Sequence, residues 1–445
     1  MSGEMTAAAV ESVESAELVE SAASTRRIEE DVQPGEVPLR HNRRFQTLWI
    51  GGAGSFLGGA LVTLGVPLLI LGITGSAVQA GAFGSVDAAA SLLAGLPAGM
   101  VLDRYNRRTL MIVSELVRVL AFASVVLALS SGRLTMFHLF SVAAVSGAAR
   151  PFIGSARALA TRAVVPPHQL TKALASEEVR THTASIIGPS LGGVLFAVSR
   201  TLPLLGAVVG FAVSMVCGLA IPRDDQGSRE RREQAAGGAF DGIKILMRDP
   251  VLRISLIALS LVNLGGTAIE LVVVVLVREH GGSSSAVGLA LALAALGGLL
   301  GSGLVTRLHR IFAPGWLLIA LCLWVGAVNV GLVAPLGAGW YGAVLGVTML
   351  GVPAAVVLLD VLIFRQVDDA VRGRTIGATM TLLSVGVSLG PLAAGLLLQY
   401  AGSVAAVFVF SGVMVLAGIT AMSSKAVRAA KWPVPNSDAA ADAGV

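Results

Sequence analysis

The stretch GMVLDRYNRR, residues 99–108, decides how the rest of the chain is read. It packs Asp103, Arg104, Arg107 and Arg108 into a few residues, in a chain of which only 13% is charged. Long apolar runs flank it on both sides. A bilayer explains that contrast: the runs are membrane helices, and the charged residues form the short aqueous loop that joins them on the positive side.

Composition carries the same reading outward. The chain has 445 residues, 55% of them hydrophobic, and a mean hydropathy of +0.80. Apolar spans of roughly 20 residues recur from Leu48 to Met422. The expected fold is an all-α membrane protein of about twelve transmembrane helices. The net charge of +5 does not point to nucleic acid, because the arginines sit in short loops between spans. Arg40, Arg43 and Arg44 precede the first span, and Lys425, Arg428 and Lys431 follow the last. Alternate loops are basic, whereas the others hold only Arg133, Arg200 and Arg278. This asymmetry predicts a multi-pass cell-membrane protein with both termini in the cytoplasm.

The expected organisation has five parts. Residues 1–40, rich in Ala, Ser and Glu, read as a disordered cytoplasmic extension with no signal-peptide pattern. Residues 41–222 form a first six-helix half, 223–250 a polar cytoplasmic linker, 251–424 a second six-helix half, and 425–445 a cytoplasmic tail. The halves resemble each other. IIGPSLGGVLF from Ile186 matches SLGPLAAGLLL from Ser388, and LDRYNR from Leu102 matches VTRLHR from Val305, at nearly the same shift. Internal repeats of membrane helices are a mark of transporters, whose two halves rock about a site between them.

The loop itself resembles the signature of the major facilitator superfamily, G-x-x-x-D-R-x-G-R-R between helices 2 and 3, with Asn106 in place of the second glycine. Asparagine is the next residue best suited to a left-handed turn position. The opening NRRFQTLWIGGAGSFLGGALVTLGVPLLILGITGSA, GLPAGMVLDR and RGRTIGA are most similar to the twelve-helix drug:proton antiporters that include macrolide and siderophore exporters. The resemblance implies two pseudo-symmetric halves and proton-driven export of a small molecule. It implies that Gly99, Asp103, Arg104, Arg107 and Arg108 form a conformational latch, with Asp103 against the start of helix 11 near Gly373. Gly188, Pro189, Gly192 and Gly193 resemble the family's antiporter motif, although Ala184 stands where that motif has another glycine. Gly390 and Pro391 repeat it in the second half. Small residues let helices approach, and proline removes a backbone hydrogen bond, so these are read as helix-bend motifs between the halves.

Charges inside the spans carry the remaining functional signal, because burial in lipid is costly. Asp87, Glu270 and Asp360 are candidates for coupling or for the substrate cavity, together with Asn263, seven residues before Glu270 on the same helix face. A low dielectric disfavours the charged form, so such a carboxyl can take up and release a proton. A structural pair of Asp360 with Arg365 or Arg157 is the plain alternative. Arg150 is read either as a counter-charge to a carboxylate or as an anion-binding group. Glu115 and Arg118, three apart, are read as a structural pair. Glu177, Glu178, Arg180 and His182 are read as solvated charges at a wet helix start. Cys217 and Cys322, far apart in apolar runs, suggest neither disulfide nor metal.

No P-loop, H-E-x-x-H or Cys/His cluster is present, so no enzyme, cofactor or metal chemistry is expected. The expected partners are a small-molecule substrate, protons and the lipid bilayer, with no nucleic acid, and the protein is expected to be monomeric. The leading expectation is a secondary active exporter of amphipathic drugs, macrolides or secondary metabolites. An exporter of a defined siderophore or lysophospholipid, and a non-transporting sensor, are the competing readings.

Overall fold

The computed structural model describes residues 38–220, 244, 246–366 and 369–430. Among the described residues twelve helices are long and apolar enough to cross a membrane. In chain order they are α1 (Arg43–Thr74), α2 (Ala77–Arg104), α3 (Arg107–Ser130), α4 (Met136–Val164), α5 (Leu170–Val198) and α6 (Leu202–Leu219). The second half has α7 (Pro250–Glu279), α8 (Ser284–Ser302), α9 (Pro314–Asn329), α10 (Ala338–Met349 continuing as Val352–Gln366), α11 (Asp369–Tyr400) and α12 (Ser403–Ser423). Helices prevail because a backbone in lipid must satisfy its own hydrogen bonds. Residues 1–37, most of the 223–250 linker and residues 431–445 lie outside the described residues.

Successive helices alternate in direction. One end of the bundle therefore carries the start of α1, the end of α12 and the α2–α3 loop, and is called here the termini face. Besides the α5–α6 turn, the far face holds the α1–α2, α3–α4, α7–α8, α9–α10 and α11–α12 turns. Each of these contains a glycine at positive φ: Gly75, Gly132, Gly281, Gly337 and Gly402. A left-handed residue makes so tight a reversal, and glycine adopts it without a Cβ clash.

Two sequence expectations about local structure are corrected. Asn106 is not left-handed: at φ −62°, ψ 124° it is the extended N-cap of α3, and its side-chain oxygen accepts from Arg108 N at 3.0 Å. Asparagine is used there as an acceptor for an orphan helix N–H. The tenth span is not one helix, because α10 breaks between Met349 and Val352 at Gly351, two residues before Pro353. The ring of Pro353 offers no N–H to continue the helix across the break.

The two halves meet along two seams. In one, α2 packs on α11; in the other, α5 packs on α8. These pairs exchange under the approximate two-fold relation implied by the sequence repeat. A Cβ on Gly81 would strike the carbonyl of Pro391, and one on Gly288 the carbonyl of Pro189. Gly395 lies against the Ala77 carbonyl, and Gly193 against that of Ser284. Without side chains between them, backbones approach to contact distance, which favours helix association in lipid. The seams are chemically unequal. At α2–α11, Ser85 Oγ accepts from Leu392 N at 2.9 Å and Ser76 Oγ donates to Gln399 Oε1 at 2.8 Å. At α5–α8 the longer 3.5 Å contact of Ser285 Oγ with the Gly193 carbonyl is the side-chain hydrogen bond present among the described residues.

The buried core follows the same division. One apolar cluster joins both halves toward the far face, through residues such as Leu68, Phe83, Leu139, Val272, Val287 and Leu398. Toward the termini face the core splits. Leu48, Met111 and Ala156 form a small cluster in the first half, and Leu256, Leu318, Leu358 and Ala421 belong to a separate one in the second.

The first half also contains a buried ionic network. Glu115 is fully buried and accepts from Ser214 Oγ at 2.7 Å. Arg118 and Arg157 each approach it at 3.4 Å. Arg118 also reaches Ser55 Oγ at 3.0 Å and lies 3.6 Å from the centre of the Phe211 ring. The network ties α1, α3, α4 and α6 together. It corrects the alternative that Arg157 pairs with Asp360, since its guanidinium is engaged by Glu115 and Ser214. Removing one member of a buried charge network leaves the rest uncompensated, at a cost of about 3–5 kcal/mol. Glu115→Ala is therefore expected to lower the thermal unfolding midpoint of the purified protein in detergent clearly, whereas Ser130→Ala, at an exposed helix end, is not. An unchanged midpoint for Glu115→Ala would contradict this account of the network.

Candidate functional site

The α2–α3 turn is built as a helix stop followed by a helix start. Tyr105 N closes α2 on the Val101 carbonyl, and Asn106 opens α3. Arg108 then turns back within its own half. Its Nε donates to the Gly218 carbonyl at 3.3 Å and its Nη2 to the Leu219 carbonyl at 2.5 Å. Those carbonyls end α6, where unpaired acceptors and the negative end of the helix dipole favour a cation. Arg104 is exposed and Arg107 half-buried. Gly99 and Asp103 belong to α2 by their backbone, but their side-chain surroundings, like those of Gly373 and His182, lie outside the described residues.

The intramembrane acids fall into two groups. Asp87 stands on α2, roughly 15 Å from its far end at 1.5 Å per residue. It is paired with Arg150 of α4 by a direct hydrogen-bonded contact. The two helices can meet there because Gly147 of α4 lies directly on the Asp87 backbone. The pair is not sealed: the Arg150 side chain is 49% exposed and that of Asp87 24%. Glu177 is engaged as well. It accepts from Thr161 Oγ1 at 3.0 Å and faces Arg180 at 3.7 Å. Arg180 is buried against Gly52 of α1, which corrects the expectation of a solvated charge. Only a glycine leaves room there for the guanidinium to lie on the α1 backbone. Glu178 is exposed.

Glu270 and Asp360 differ from these. Among the described residues neither has a hydrogen-bond or ion-pair partner. Glu270 is exposed on α7, about 13 Å from its far end by helix rise. Asp360 is half-buried on the second segment of α10. It lines a shallow, partly open pocket together with Asn263 of α7, Cys322 of α9, Gly351 of α10 and Met380 of α11. Asn263 and Asp360 are thus brought together, whereas Glu270 lies outside this pocket. Sequence reasoning missed the pocket because it missed the break that opens it. The signal was present in Gly351-Val-Pro353 inside an otherwise continuous apolar run.

Gly188, Pro189, Gly192 and Gly193 lie on α5, and Gly390 and Pro391 on α11. Gly193, Pro189 and Pro391 stand in the inter-half seams. Gly188 instead packs on Ala60 of α1, Gly192 on Leu61 and Leu64, and Gly390 on Thr267 and Leu264 of α7. Each motif thus presents one side to the other half and one to a helix of its own half. Among the described residues no group of three or more His, Cys, Asp or Glu is placed to hold a metal ion.

Comparison with known proteins agrees with this architecture. Residues 48–384 match the family model of the Major Facilitator Superfamily. The chain is 27% identical over 305 residues to the MFS-type transporter y4rN of Sinorhizobium fredii, covering 65% of this chain and 70% of that protein. It is 25% identical over 178 residues to macrolide efflux protein A of Streptococcus pyogenes, 37% of this chain and 42% of that one. Among solved structures, the nucleoside transporter NupG superposes with a TM-score of 0.70 at 14% identity, covering 87% of this chain and all (100%) of that one. A bacterial homologue of the lysosomal transporter Spinster, captured inward-facing and unoccupied, superposes at 0.67 with 17% identity, covering 90% and 100%. The paired halves, the charged α2–α3 loop and these similarities lead to one conclusion: the chain belongs to the major facilitator superfamily, as a multi-pass membrane transporter of twelve spanning helices.

Proposed function

We propose that the protein is a proton-coupled exporter of amphipathic small molecules, working by alternating access in the cell membrane with both termini in the cytoplasm. The observation that carries the reading is the uneven core. One apolar cluster unites the halves at the far face, while separate clusters hold them toward the termini face. With the basic loops at the termini face, this corresponds to an inward-facing transporter closed to the outside. Parting of the two glycine seams, with closure at the termini face, would exchange it with the outward-facing state.

The charges suit coupling to an ion gradient. Charged side chains exposed at mid-span face water or the bundle interior rather than lipid, because lipid contact is too costly. Asp87–Arg150 and Glu270 therefore read as groups reached from an aqueous cavity, and are proposed as the coupling residues. A proton on Asp87 would release Arg150, and the recovered pair would expel the proton in the other state. Engagement of Arg150 by Asp87 weighs against a substrate whose anionic group Arg150 reads. Asp103 is proposed as the latch, its carboxylate set against the positive start of α11 in the outward-facing state.

In a host stripped of its own pumps, expression is expected to lower accumulation of at least one member of a panel of dyes and macrolides, and a protonophore is expected to abolish the effect. Asp87→Asn and Glu270→Gln are each expected to lose gradient-driven export in proteoliposomes while keeping exchange of substrate across the membrane, which moves no net proton. Loss of exchange together with export would assign them to substrate binding instead. Asp103→Asn is expected to slow export roughly tenfold, the scale of a helix-terminus charge interaction of 1–2 kcal/mol, at unchanged membrane insertion. Full activity of that variant would remove the latch.

A further inference from the structure

We propose that the buried cluster around Arg180 is a binding site for a small inorganic monovalent anion of the chloride class. The site goes beyond the transport reading above and depends on neither the cargo nor the direction of transport.

The charges of the first half do not balance. Glu115, Arg118, Arg157 and Arg180 are all buried. Glu177, half-buried beside Arg180, adds a second acid. Two carboxylates thus face three guanidiniums. Glu115 is already divided between Arg118 and Arg157, each at 3.4 Å. A buried charge is costly unless it is paired, and arginine does not give up its proton to avoid that cost. The cluster therefore calls for one further negative charge. Water can satisfy a hydrogen-bond donor but brings no charge, whereas an anion supplies both.

Arg180 has donors to offer it. Its Nε and Nη1 are buried and have no hydrogen-bond partner among the described residues. Glu177 Oε1 stands 3.7 Å from Nη1, beyond hydrogen-bond reach, and accepts instead from Thr161 Oγ1 at 3.0 Å. Glu178 is exposed and two residues from Arg180, a spacing at which helix side chains do not face each other. Arg157 Nε is likewise buried and unpaired. Arg157 lies one helical turn before Thr161 on α4. Unpaired donors of two arginines thus stand where α4 meets α5.

Enclosure selects the ligand. A Cβ on Gly52 would strike Arg180 Nη1, so the guanidinium lies on the backbone of α1. Trp49, three residues earlier on α1, donates from Nε1 to the Ser176 carbonyl at 3.2 Å. Ser176 is one turn before Arg180, so this bond draws α1 and α5 together on the termini-face side of the guanidinium. With Arg180 only 5% exposed, no surface remains for the body of an organic anion. A monatomic ion needs only the donors, and one negative charge matches the excess. By helix rise Arg180 is about 15 Å from the start of α5, nearer the termini face, from which the ion would enter. Once bound, it would hold α5, a seam helix, to α1 and α4.

The test is thermal unfolding of the purified full chain in detergent at constant ionic strength, as chloride replaces gluconate, an anion too large to enter. The midpoint is expected to rise with chloride to saturation, by about 2 °C or more, and bromide is expected to act as chloride does. Arg180→Gln, which removes the excess charge, is expected to abolish the response and to lose little stability in gluconate. Arg133→Gln, at an exposed turn, is expected to keep the full response. Radioactive chloride is expected to bind the wild type saturably, at roughly one ion per chain for the one excess charge. Should Arg180→Gln not be recovered folded, Gly52→Ala displaces the guanidinium without changing any charge. It is expected to raise the chloride concentration at half-response several-fold. Equal midpoints in chloride and gluconate, an unchanged response in Arg180→Gln or Gly52→Ala, or no saturable chloride binding would overturn the proposal. None of these outcomes depends on whether export is detected in cells.

Discussion

The fold depends on backbone meeting backbone at two places. Gly81 on the Pro391 carbonyl and Gly288 on the Pro189 carbonyl bring α2 to α11 and α5 to α8 with no side chain between them. In lipid no hydrophobic force draws helices together, so association relies on close contact and a few hydrogen bonds. Such contacts are individually weak, and they concern helix pairs from different halves. A structure held this way is firm within each half and adjustable between them. Ser85 and Ser76 give the α2–α11 seam hydrogen bonds that the α5–α8 seam largely lacks, so the two lines of contact need not part together.

The halves use polarity differently. The first half buries Glu115, Arg118 and Arg157 in one network and adds Glu177 with Arg180 nearby. Here two acids stand against three arginines, and the Glu115 network fixes four helices relative to one another. Among its described residues the second half buries no charged side chain, and its irregularity lies in the α10 break instead. The first half is thus braced by buried charges, whereas the second carries the α10 break and, among the described residues, a carboxylate without a partner in Asp360. The proposed coupling pair Asp87–Arg150 belongs to the first half.

Much of this was legible in the sequence. Bilayer thickness fixes helix length, so hydropathy alone indicated about twelve spans between Leu48 and Met422. The spacing of Glu115 and Arg118 disclosed their pairing, because neighbours three apart share a helix face. Arg157 and Ser214 joined them unseen, since their approach depends on how α3, α4 and α6 pack. The Gly-Pro motifs of α5 and α11 stood out as a repeat, but their partners Gly81 and Gly288 did not, being two among 53 glycines. Arg180 was misjudged because sequence gives depth along a helix better than facing. Asn106 was misjudged because asparagine serves both left-handed turns and N-caps, and only the following Arg108 amide decides between them. The α10 break was written in Gly351 and Pro353, and was hidden by the apolar residues around them.

Alternating access requires the halves to part at the far-face seams as they close at the termini face, and distances measured on both faces test it most directly. Spin labels at Ser131 and Leu336, exposed far-face positions in opposite halves, report one face; labels at Tyr105 and Arg310 report the other. Pulsed electron paramagnetic resonance in nanodiscs, with and without a transported compound and across a range of pH, is expected to give two distance populations for each pair. As the far-face distance lengthens, the termini-face distance should shorten. Distances that stay fixed under every condition, or that lengthen together on both faces, would contradict alternating access about these seams.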